Sequence, residues 1–159
     1  MANMIRQLLF GGAGAATRFG DLGLLIVRVG VGGMLAAGHG YRKLLPNGLG
    51  EGFGPPQAFV QGLTDMGVPA PLVSAWLATL AEFLGGILLA LGVFTRPVAV
   101  IVAFNMAVAA FVGHGDDPLF GPGRSKELAL LYLLPALMLI LTGAGRISLD
   151  GLLRNKRTA

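Results

Sequence analysis

The chain has 159 residues and a mass of 16.4 kDa; 54% of its residues are hydrophobic, only 13% are charged, and the mean hydropathy is +0.73. Such a composition offers too little polar surface to cover a fold in water, which excludes an ordinary soluble domain. The formal charge is +4 and cysteine is absent, so the chain brings no disulfide, thiolate metal site or thiol relay of its own, and cations scattered over the ends of apolar segments point to anionic lipid headgroups rather than nucleic acid.

A helix needs about 20 mostly apolar residues to cross a hydrocarbon core roughly 30 Å thick at about 1.5 Å of rise per residue. Four stretches meet that need: Leu22 to Gly38, Leu72 to Phe94, Pro97 to Gly113 and Leu128 to Ala144. They are continuously apolar and rich in Leu and Ala, whereas a transmembrane β-barrel needs alternating segments of about ten residues. The expected fold is therefore all-α, a transmembrane four-helix bundle. Residues 1–21 read as a cytoplasmic N-terminal segment, 22–144 as a single membrane domain and 145–159 as a basic cytoplasmic tail.

The opening MANMIRQLLF is too short for a secretory apolar region, so the first helix reads as a retained anchor. The longest connection, Tyr41 to Ala70, contains a short amphipathic helix: Pro55 and Pro56 suit its start, Phe59, Leu63 and Met66 share a face, and Gly67 and Pro69 end it. Between Phe94 and Pro97 the connection is so short that the second and third helices must form an antiparallel hairpin. Gly32 with Ala36, Gly33 with Ala37, Ala81 with Gly85 and Gly86 with Ala90 are small-residue pairs that let helix backbones approach in lipid. Arg6, Arg18, Arg96, Arg146, Arg154, Lys156 and Arg157 fall on one side of the bundle, against Arg42, Lys43, Arg124 and Lys126 on the other. That bias predicts an inner-membrane, multi-pass protein with both termini in the cytoplasm.

Ionisable groups inside the hydrocarbon are costly and usually face the bundle interior. Arg28, Glu82 and Glu127 are such residues, and Asn105 is a neutral polar one among them. Glu82 lies deepest, about 15 Å from the external end of its helix by rise per residue. Unpaired, it would be a protonated donor or proton carrier; paired, it would hold helices together. Arg28 lies about 9 Å from the cytoplasmic end by the same measure. It therefore has two readings, a snorkelling side chain or a partner for Glu82. At the external ends, His39 closes the first helix, His114 closes the third and Glu127 opens the fourth, with Lys43 and Arg42 one turn beyond His39. This ring is able to position a quinone headgroup and relay its protons, against a bland reading as interfacial anchors. A b-type haem between the two histidines, or zinc on His39, His114 and Glu127, is disfavoured because each His adjoins a helix-ending glycine. Trp76, Phe111, Tyr41 and Tyr132 fit an aromatic belt, with ligand stacking as the alternative. GxGxxG, P-loop, HExxH and CxxC patterns are missing, so no autonomous catalytic motif and no flavin, haem or metal is expected.

Three ordered blocks carry a family resemblance: HGYRKL at His39 to Leu44, MGVPAPLVSAWLATLAEFLGGILLALGVFTRPVAV at Met66 to Val100, and KELALLYLLPALMLILTGAGRISLDGLL at Lys126 to Leu153. Together they resemble the DoxX family of small four-helix membrane proteins. Its HGxxKL signature falls on His39, Gly40, Lys43 and Leu44; AExxGGxLLxLGxxTR falls on Ala81, Glu82, Gly85, Gly86 and onward to Thr95 and Arg96; ExALLYL falls on Glu127 to Leu133. The family takes its name from subunits of an archaeal thiosulfate:quinone oxidoreductase and quinol oxidase system. The resemblance therefore implies a quinone-interacting subunit of a redox complex, with Glu82 and Glu127 moving protons and His39, Lys43, Arg28, His114, Asn105 and Tyr132 around the headgroup. Other membrane subunits are then expected partners. A non-catalytic assembly subunit is the alternative reading, and a small-molecule carrier trails both because no inverted repeat is present.

Overall fold

The computed structural model describes residues 17–46 and 52–155. The N-terminal segment before residue 17, part of the Gly-rich stretch at 47–51 and the basic residues Lys156 and Arg157 lie outside them. The described residues form six helices and no strand.

Helix α1, Arg18–Leu44, begins where Thr17 turns extended and its hydroxyl accepts from the Gly20 amide at 3.1 Å, an N-cap that satisfies an orphan donor. It runs on for 27 residues, past the expected stop at Gly38, through a π-helical segment, Leu35–Gly40, into a final turn, Tyr41–Leu44. Gly38, His39 and Gly40 read locally as a terminus, yet Gly40 keeps right-handed helical geometry (φ −62°, ψ −47°), with the helix that carries Phe83 packed against it. Packing overrides propensity here.

Helix α2, Gln57–Asp65, is the expected amphipathic element, and it ends in a Schellman motif. Gly67 takes φ +70° while Val68 N–H donates to Leu63 and Gly67 N–H to Thr64. Helix α3, Pro71–Leu91, opens on a proline and closes the same way, with Gly92 at φ +69° and Val93 N–H on the Leu88 carbonyl. Helix α4, Thr95–Gly113, follows directly as the predicted hairpin and becomes π-helical over Ala109–Gly113. Helix α5, Glu127–Thr142, and a short α6, Leu149–Asn155, complete the chain.

By length and composition α1, α3 and α4 are long and apolar enough to cross a membrane, and α5 is a shorter apolar helix of 16 residues. Neighbours in space follow the chain: α1 packs on α3, α3 on α4 and α4 on α5, while α1 and α5 barely meet through their backbones. A Cβ added at Gly32 would lie 2.5 Å from the Gly86 carbonyl oxygen, and one at Gly86 would lie 2.6 Å from that of Gly32 and 2.8 Å from the Ala36 nitrogen. The expected Gly32/Ala36 and Gly86/Ala90 pairs thus face each other across α1 and α3. Gly33 and Ala37 do not take part, since Gly33 meets open space and Ala37 is exposed. Leu35, Leu89, Val98, Val102, Met106, Leu133 and Leu139 fill the interior. Ile26, Leu77, Phe104, Leu134 and Leu141 point outward, an apolar exterior suited to lipid rather than water.

The end of the bundle that carries Thr17, the α3–α4 turn and α6 is termed proximal; the end that carries α2 and the 114–126 loop is distal. Residues 145–155 do not run free from the proximal end. Gly145, Ser148, Asp150 and Gly151 are buried, and α6 folds back onto the bundle.

Candidate functional site

Glu82 sits on the α3 face that also carries Ala75, Thr79, Gly86 and Leu89, all turned inward, so helical periodicity alone delivers its carboxylate to the interior. It is 4% exposed. Lys43, on the last turn of α1, reaches down to it, with Nζ 2.6 Å from Oε1. That reach depends on α1 continuing through Gly40, where a Cβ would collide with the backbone of Phe83, the residue after Glu82. From α4, Asn105 donates its amide to the same Oε1 at 3.3 Å. Oε2 is buried with no hydrogen-bond partner among the described residues.

Aromatic rings frame the pair. The Lys43 ammonium lies 4.6 Å from the centroid of the Phe59 ring, a cation–π contact that brings α2 over the distal end of the site. Tyr132 of α5 is buried and near enough to Glu82 to feel its charge, and His39 of α1 meets the Tyr132 ring edge-on at 5.5 Å. Trp76, also on α3, packs with the segment before α2: Phe53 tilts against it at 5.5 Å, and Gly54 leaves no room for a side chain beside it. Five expected site residues, His39, Lys43, Glu82, Asn105 and Tyr132, therefore come together.

Three others stand apart. Arg28 neither snorkels nor pairs with Glu82. It is 1% exposed, and its guanidinium donates to the Ala90 carbonyl at 3.2 Å, to Leu89 at 3.5 Å and to Ile147. These carbonyls include the negative end of α3, and the Asp150 charge is also near, so Arg28 joins the proximal end instead. His114 turns to its own loop: Nδ1 is 2.7 Å from Asp117 Oδ2, and Arg124 approaches the same oxygen at 3.2 Å. The Asp117 carboxyl is held below its ordinary pKa, first by the His114 hydrogen bond and then by Arg124. Glu127 is exposed in the first turn of α5, where the helix dipole favours a carboxylate.

The family profile described as DoxX matches residues 23–115, more than half of the chain. The chain belongs to the DoxX family. The inner membrane protein YphA of Escherichia coli K12 is 37% identical over 98 residues, covering 57% of this chain and 69% of that protein. An uncharacterized protein of Haemophilus influenzae is 42% identical over 98 residues, covering 60% of this chain and 70% of its own. No solved structure matches the chain significantly.

The geometry gives the DoxX signature residues physical roles. In HGxxKL, His39 touches Tyr132, Gly40 admits α3, and Lys43 reaches Glu82. In AExxGG, Glu82 supplies the carboxylate while Gly85 and Gly86 take close contact from Val102 of α4 and from Gly32 and Ala36 of α1. At the proximal end sequence reasoning overlooked two buried acids. Asp150 accepts from the Phe94 and Thr95 amides at 2.9 Å each, capping α4 from a segment more than 50 residues away. Asp21 accepts from the Arg146 amide at 2.9 Å and lies 3.6 Å from its guanidinium. Neither acid sits in a pattern that marks it in the sequence.

Proposed function

We propose that this DoxX protein is a quinone-interacting subunit of a membrane redox complex, seated in an inner membrane with its distal end outward and both termini in the cytoplasm. One observation supports the reading most: a buried carboxylate oxygen of Glu82, without a partner among the described residues, beside a lysine that is 26% exposed. Buried polar groups left unsatisfied are uncommon, and a catalytic or redox role is one explanation for them. The aromatic frame of Phe59, Tyr132 and His39 suits a planar headgroup, and Lys43 suits a carbonyl oxygen.

A quinone exchanges two electrons and two protons when bound. Glu82 takes or gives a proton at the headgroup, and Lys43, open to the distal side, passes it outward. Asn105 fixes the carboxylate orientation. Electrons pass to or from a partner subunit, since no cofactor motif occurs in this chain.

The test is quinone content. Protein purified in native lipid should carry quinone that Glu82→Gln and His39→Ala lose while size-exclusion behaviour is unchanged. The 2.6 Å Lys43–Glu82 pair also favours a second reading, in which the pair only ties helices together in an accessory subunit. Stoichiometric protein partners that co-purify regardless of those substitutions, with no quinone in the wild type, support that reading and defeat the first.

A further inference from the structure

Helix α5 is shorter than its neighbours. Its 16 residues reach about 24 Å at about 1.5 Å of rise each, against a hydrocarbon core of roughly 30 Å that the 21 residues of α3 do span. Glu127, exposed in the first turn of α5, keeps the distal end of that helix at the polar boundary. The shortfall therefore falls at the proximal end, where residues 143–148 and α6 continue the chain.

Irregular backbone at membrane depth is tolerated only where protein satisfies its polar groups. Residues 145–151 meet that condition. The Arg28 guanidinium takes the Ile147 carbonyl together with those of Leu89 and Ala90 in the last turn of α3, so Ile147 lies level with the end of that span. The Asp150 amide donates to the Gly92 carbonyl at 2.9 Å and the Arg146 amide to Asp21 at 2.9 Å. The Ser148 hydroxyl donates to the Gly145 carbonyl at 2.7 Å and accepts from the Gly151 amide at 2.9 Å.

The side chains of this segment divide in the sense opposite to a helix facing water. Ser148, Asp150 and Gly151 are buried against the bundle, whereas Ile147, Leu149, Leu152 and Leu153 are exposed. The outward leucines extend the apolar exterior that Leu22 and Leu141 present beside the same end. Arg18 and Arg146 are exposed around them, and the sequence places Arg154, Lys156 and Arg157 next, cations that complement anionic phospholipid headgroups. We infer that α6 lies in the boundary of the proximal leaflet, with Ile147, Leu149, Leu152 and Leu153 against acyl chains. Residues 147–153 then belong to the membrane domain and complete the short fourth span.

The absence of cysteine from the chain lets single cysteines carry a nitroxide label without background. Full-length Leu149→Cys, Leu152→Cys and Leu153→Cys proteins are labelled in nanodiscs of phosphatidylcholine and phosphatidylglycerol. Leu134→Cys, on the outer face of α5, is the lipid reference, and Asp116→Cys, exposed in the distal loop, is the water reference. Oxygen concentrates among acyl chains, while a nickel chelate stays in water. The ratio of oxygen to chelate collisions at the three α6 labels should match that at Leu134 and exceed that at Asp116 severalfold.

A ratio equal to that at Asp116 places α6 in water and overturns the inference. Few collisions with either reagent show that protein covers the leucines, whether a partner or a second copy, and overturn it as well. All three positions are exposed, so the substitutions leave the buried Asp21, Arg28 and Asp150 contacts in place, and each label is read separately.

Discussion

Lys43 on α1 donates to Glu82 on α3 at 2.6 Å, although the two are 39 residues apart in the chain. The contact joins the last turn of one helix to the middle of another, and it passes beside Gly40, where a Cβ on α1 would collide with the Phe83 backbone of α3. Glycine spacing and ion pairing thus serve one arrangement. Without the close approach at Gly40, Lys43 would stand too far from α3 to reach the carboxylate.

Removing one member of this pair should cost more than removing both. Lys43→Met leaves a buried carboxylate uncompensated and should destabilise the protein by about 2–4 kcal/mol. Lys43→Met with Glu82→Gln should recover at least half of that loss, because no charge is left buried. Denaturant unfolding in mixed micelles of both variants and of Glu82→Gln alone measures this; a double-variant loss equal to the sum of the two single losses would mean that the pair carries no coupling.

The glycines on α1 should separate by face. Gly40→Ala drives a methyl group into the Phe83 backbone and should cost about 1–3 kcal/mol by overpacking. Gly33→Ala meets nothing within 4 Å and should be neutral or stabilising by up to about 1 kcal/mol, through helix propensity alone. Thermal unfolding of the two variants checks the opposite signs.

Asp150 is expected to lock the proximal end. Asp150→Ala removes the acceptor of the Phe94 and Thr95 amides and should cost about 1–2 kcal/mol, as for loss of an N-cap. Asp150→Asn keeps one acceptor and should fall between. Hydrogen exchange at residues 93–96 should accelerate in the same order, and unchanged protection there would contradict the capping role.

The sequence made the membrane helices legible because long apolar runs and small-residue pairs are local patterns. Gly32, Ala36, Gly86 and Ala90 could be paired in advance for that reason, and Glu82 stood out as a charge amid apolar neighbours. Its partner was harder to see. The glycines around His39 resemble a helix end, and the π-helical continuation that brings Lys43 to Glu82 is selected by packing against α3. Arg28 found carbonyls instead of Glu82 because the end of α3 and the 143–150 turn converge on it, a tertiary event without a local signature. Asp21 and Asp150 escaped notice for the same reason, since their donors lie 125 and 55 or more residues away.

The distal loop supplies a pH prediction whose sign follows from Asp117. Its carboxyl sits below the ordinary value of 3.8 because His114 donates a hydrogen bond to it, with Arg124 adding to the effect. A depressed acid contributes stability that is fully present above its unfolded pKa and is lost as pH falls through the folded one. Order in residues 114–124 should therefore hold above about pH 4 and decay below it. His114 contributes the largest part of the depression, so His114→Ala should raise the Asp117 midpoint toward 3.8 and shift the decay to higher pH, more than Arg124→Ala does. Carboxyl carbon NMR titration of Asp117 in micelles measures this directly. A midpoint unmoved by His114→Ala, or moved further by Arg124→Ala, would show that the 2.7 Å contact is not what holds the proton off Asp117.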